Sequence, residues 1–62
     1  MPAGGGDVYV EFVVQGSFVK VTAIDPKSGT EVSIMGPANA ARAALSGAAV
    51  RKLAYVLNKK VK

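Results

Sequence analysis

The residues best equipped for chemistry in this chain sit near its C-terminal end. Arg51, Tyr55, Asn58, Lys59 and Lys62 recur at spacings of three and four residues, with Lys52 beside them. On a helix such residues are neighbours on one side. Cations interleaved with an aromatic ring and an amide can contact phosphates and stack on a base or sugar. The same set also suits a solvated helix end, where lysines are favoured by the helix dipole. These six residues form the candidate surface for a nucleic acid or another acidic partner.

Charge is divided along the chain. Residues 1–36 hold all four acids (Asp7, Glu11, Asp25, Glu31) and two lysines (Lys20, Lys27), a balance of −2. Residues 37–62 hold Arg42, Arg51, Lys52, Lys59, Lys60 and Lys62 and no acid, a balance of +6, so the net charge is +4.

Catalysis has little to work with. There is no histidine and no cysteine. The usual general base near neutral pH and the commonest metal ligands are therefore missing. Ser17, Ser28, Ser33 and Ser46 have no histidine partner. Gly4-Gly5-Gly6 is not a phosphate loop, because no lysine–serine or lysine–threonine pair follows it at the required spacing. Glu11 and Glu31 fall on one predicted sheet face, but Thr22 separates them. The chain is therefore expected to be no enzyme, with no catalytic residue, no metal site and no cofactor.

The elements that carry these residues are legible. Val8 to Gln15 is dense in β-branched and aromatic residues and reads as a strand. Gly16-Ser17 favours a type II′ two-residue turn. Phe18 to Ile24 follows as a second strand. Asp25-Pro26-Lys27-Ser28-Gly29 is a turn signal: proline presets φ, Asp25 can bond the backbone ahead, and Gly29 allows φ > 0. Thr30 to Met35 is the third strand. Gly36-Pro37 ends it, and residues 38–59, rich in alanine and leucine, read as a helix.

Both turns set the same register. They put Val10, Phe12, Val14, Val19, Val21, Ala23, Val32 and Ile34 on one face. A slip of one residue would turn every side chain over, so the agreement supports the phase. The helix repeats Leu45, Ala49, Leu53, Val56 and Leu57 as one apolar stripe, which should cover that face. Arg42 falls near this stripe and is expected to snorkel to water past the sheet's edge. Ser46-Gly47 leaves three forms open: a kink, a break, or a close approach of helix to sheet. The alanines at the helix start, including Ala38, Ala40, Ala41, Ala43 and Ala44, suit a tight gap between helix and sheet.

The expected architecture is α+β: a three-stranded antiparallel β-meander packed on one C-terminal helix, β-β-β-α. Residues 1–6 are expected to be a disordered tail and residues 7–62 a single domain. A domain this small buries only about 60% of its unfolded surface, so a partner subunit is one route to stability. The opposite sheet face carries Tyr9, Val13, Phe18, Ile24 and Met35 with nothing in the chain left to cover them. They are the candidate dimer or protein interface. Residues 1–6 lack the basic start and apolar run of a signal peptide. No stretch approaches the about 20 apolar residues that span a bilayer. A soluble, cytoplasmic protein without membrane contact is the expectation.

The valine-rich hairpin, Asp25-Pro26-Lys27-Ser28-Gly29-Thr30-Glu31-Val32, Gly36-Pro37-Ala38 and Val50-Arg51-Lys52-Leu53-Ala54-Tyr55-Val56-Leu57 carry a resemblance. Over residues 8–60 the chain resembles a family of short, uncharacterised bacterial proteins. The family has no assigned activity and so implies no functional residue. The later part of a double-stranded-RNA-binding domain is similar in its order of elements, but it carries lysines at the helix start, where this chain has Ala38-Asn39-Ala40-Ala41-Arg42. β-β-β-α DNA binders use the outer sheet face, where this chain sets Lys20 against Glu11 and Glu31. The expectation is a small non-enzymatic interaction module whose partner is a protein or a second copy of itself. The alternative is a nucleic-acid-associated protein using the basic helix.

Overall fold

The computed structural model describes residues 8–60. Three strands, β1 (Tyr9–Gln15), β2 (Phe18–Asp25) and β3 (Thr30–Pro37), precede one helix, α1 (Arg42–Lys60). The strands form one antiparallel sheet in the order β1-β2-β3. This is the expected α+β meander with a C-terminal helix. The tail expected over residues 1–6 lies outside the described residues, as does Lys62.

The register is the one that the turns specify. Val10 faces Ala23, Phe12 faces Val21 and Val14 faces Val19. Val21 faces Ile34 and Ala23 faces Val32. Gly16 has φ of 63° and, among the described residues, no non-glycine residue has positive φ, as a type II′ turn requires. At the second turn Gly29 has φ of 76° and its N–H donates to the Asp25 carbonyl at 2.8 Å. The Ser28 hydroxyl donates to the Asp25 carboxylate at 2.9 Å. Asp25 thus holds both ends of its own turn.

The core is Val19, Val21 and Ala23 of β2 against Ala49 and Leu53 of α1. Val10, Phe12, Val32, Ile34, Leu45 and Leu57 pack around it. Val56 of the expected stripe is half-buried. The helix lies mainly over β2 and β3 and touches β1 least. Val14 is consequently 58% exposed, although it shares the covered face. Strand alternation assigns a residue to a face; the helix's offset decides whether that residue is covered.

The helix begins at Arg42, not at residue 38. Pro37 belongs to β3, opposite Phe18. The Ala38 N–H then donates to the Ser17 carbonyl at 2.9 Å, extending the ladder to the β1–β2 turn. Bonded and non-bonded pairs alternate along an antiparallel ladder, so the Pro37 nitrogen faces the open side of β3, where no donor is needed. The Ala40 N–H donates to the Pro37 carbonyl at 3.0 Å, and Ala38–Ala41 turn the chain from the sheet onto its face. Ser46-Gly47 neither breaks the helix nor approaches the sheet. Among the described residues, a β-carbon on Gly47 would meet only the Arg51 guanidinium, at 3.6 Å.

Candidate functional site: two surfaces and two edges

The helix surface is built by one run of α1. Arg51, Tyr55, Asn58 and Lys59 are all exposed along it. The Lys59 ammonium lies over the Tyr55 ring, 5.4 Å from its centroid. This is the contact expected between an aromatic and a cation one helical turn apart. Arg51 folds back towards Gly47. Lys52 does not join the group. Its ammonium donates to the Ser33 carbonyl at 3.0 Å, at the edge of β3. A helix turns about 100° per residue, so Lys52 leaves α1 on a different bearing from Arg51.

The outer sheet face is arranged in cross-strand rows. Tyr9, Ile24 and Glu31 form one row, and Glu11, Thr22 and Ser33 the next. Val13, Lys20 and Met35 follow, then Gln15, Phe18 and Pro37. The Thr22 and Ser33 hydroxyls are hydrogen-bonded at 3.0 Å. This polar row divides the five apolar candidates. Val13, Phe18 and Met35 gather at one end around Lys20, all exposed. Tyr9 and Ile24 stand at the other end, where Ile24 is half-buried.

The two edges of the sheet differ. The Ala38–Ser17 bond makes Val19 and Gly36 a bonded pair, and alternation follows from it along both ladders. On β3 the N–H and C=O groups of Glu31, Ser33 and Met35 face outwards, and Lys52 occupies the Ser33 carbonyl. On β1 the groups of Val10, Phe12 and Val14 face outwards.

Arg42 supplies a contact that spacing alone did not show. Its guanidinium lies over the Phe12 ring, 4.9 Å from the centroid. It therefore does not pass beyond the sheet's edge but stands above β1. The signal available was Arg42 at the head of the apolar stripe; the ring it meets depends on the angle at which the helix crosses the sheet.

Among the described residues no three His, Cys, Asp or Glu side chains come together as a metal site. No helix among them is long and apolar enough to cross a membrane. The structure defines the class as a three-stranded meander covered on one face by a single helix. The chain belongs to the family described as "Domain of unknown function (DUF6898)", whose model matches residues 5–60. No curated protein and no solved structure matches it.

Proposed function

We propose that the protein is a small non-enzymatic interaction module that contacts a protein partner through the outer face of its sheet. The observation that supports this reading is the gathering of Val13, Phe18 and Met35, all large and exposed, at one end of that face. Diagonal neighbours on a sheet face are about 7–8 Å apart, close enough for these side chains to act as one apolar surface. A single scattered apolar residue needs no explanation, whereas a contiguous group fits a docking surface. The cysteine-free composition suits a reducing compartment, and we infer a cytoplasmic location from it.

The test is affinity capture with wild type and Phe18→Ser at low and high salt. A protein retained at high salt by wild type and lost with Phe18→Ser is the expected result. Binding that fades with salt, survives Phe18→Ser and is lost with Lys59→Ala overturns it in favour of a nucleic acid. Nucleic-acid affinity falls steeply with salt because each neutralised phosphate releases counterions. Backbone-amide NMR with a short mixed duplex would then show shifts along Arg51–Lys59.

A further inference from the structure

We infer that β1 is a self-pairing strand: two copies of the chain join antiparallel along their β1 edges about a two-fold axis at Val13.

Three observations converge on this edge. First, among the described residues nothing engages the backbone groups of Val10, Phe12 and Val14 on the β1 edge, whereas the β3 edge is engaged by Lys52 at Ser33 and contains Pro37. An open edge of this kind is a template for another strand. Second, Val13 and Val14 are both exposed, at 48% and 58%, and they point to opposite faces. Docking on either face would cover only one of them. A strand added at the edge brings side chains beside both. Third, the helix is offset away from β1, so its lateral approach is not blocked by α1.

Charge disfavours two of the registers. With Glu11 opposite its own copy, two carboxylates would face each other directly, which is unfavourable across a strand pair. With Phe12 opposite its own copy, the two Arg42 guanidiniums, each 4.9 Å from its Phe12 ring, would converge on one ring pair. With Val13 opposite its own copy, neither conflict arises. Phe12 then faces Val14 of the second copy, an aromatic beside a β-branched residue, and the two exchange backbone hydrogen bonds. The exposed Val14 gains the neighbour that α1 does not provide. Such an interface is isologous, as a two-fold axis requires. It would run the sheet continuously across both copies and join their Val13, Lys20 and Met35 rows into one.

The test combines molar mass with a register-specific cross-link. Light scattering during size-exclusion chromatography should give about twice the 6.3 kDa of the chain for wild type. Val14→Pro removes only an N–H that faces the open edge, so it should keep the circular dichroism of the fold and run as a monomer. The chain has no cysteine, so Val13→Cys introduces a single thiol beside its own copy. Oxidation should give a covalent dimer, since facing residues of a strand pair fall within disulfide reach. Val14→Cys should not, because the two copies of Val14 would be offset along the strands. A wild-type monomer together with no Val13→Cys cross-link overturns the inference. So does a dimer that persists in folded Val14→Pro, or cross-linking of Val14→Cys in preference to Val13→Cys. The Val13→Cys result stands even where the proline variant fails to fold. A monomer would leave the outer-face reading intact, because that reading is tested by Phe18→Ser capture.

Discussion

Leu45 of α1 fills the space where a side chain at position 36 of β3 would stand. A β-carbon on Gly36 would lie 2.6 Å from Cδ2 of Leu45. Gly36 is itself buried and pairs with core Val19. The absence of a side chain there lets the first turn of the helix descend onto the end of the sheet. That close approach also fixes where the Ala38–Ala41 connection must deliver the chain.

Gly36→Val should therefore destabilise the fold by about 1–3 kcal/mol, the usual cost of overpacking. Leu45→Ala in the same chain should recover part of that loss, because it vacates the contested space. Urea denaturation of the two single variants and the double variant checks this as a cycle, with a coupling of at least about 0.5 kcal/mol expected for residues in contact. Additive losses would show that Leu45 yields freely.

Gly47 is the contrasting case. It lies inside α1, and a β-carbon there would make only ordinary contact with the Arg51 guanidinium. Gly47→Ala should raise stability by about 1 kcal/mol, the difference in helix propensity. For a domain of this size that corresponds to about 4–8 °C in Tm. Thermal circular dichroism would measure it. A loss of stability would mean that Gly47 meets something outside the described residues.

Among the described residues no side chain caps the N-terminus of α1. The Ala41 carbonyl accepts the first helical bond, from the Leu45 N–H at 3.2 Å, and the first turn holds no acid. Ala41→Asp supplies both an acceptor for the free N–H groups and a charge that suits the helix dipole. Stability should rise by about 1 kcal/mol near neutral pH. The gain should shrink in acid as the introduced carboxylate is protonated, and thermal melts at neutral and acidic pH compare the two conditions.

The legible and illegible parts of this chain divide on a physical line. The sheet's phase was readable because Gly16-Ser17 and Pro26–Gly29 each specify it alone, and the two agree on Val21 and Ala23. The helix start was not, because Pro37 fits either the first turn of a helix or the open side of an edge strand. Only the direction of its missing N–H distinguishes them, and that depends on the bond from Ala38 to Ser17. The close approach left open for Gly47 occurs instead at Gly36, for a similar reason: what a glycine faces is a tertiary fact. On the candidate surfaces, helical spacing correctly joined Tyr55 to Lys59. It could not foresee that Lys52 reaches the edge of β3, since a long side chain finds partners outside its own helix.

That reach yields the last prediction. The Ser33 carbonyl faces the open side of β3, and the Lys52 ammonium satisfies it at 3.0 Å. A positive charge at this place also opposes the approach of another strand, a common means of protecting an edge. Lys52→Met keeps most of the apolar stem and removes the ammonium. The direct loss should be small, about 0.5–1 kcal/mol for an exposed hydrogen bond of this kind. The larger effect should be on association. With β3 unguarded, both edges of the sheet become available, and closed pairing through β1 alone gives way to open growth through β3. Light scattering should show the molar mass of Lys52→Met rising with concentration beyond the wild-type value. Lys52→Arg, which keeps the charge, should behave as wild type. A Lys52→Met protein with wild-type mass at every concentration would mean that Pro37 is sufficient to close the β3 edge.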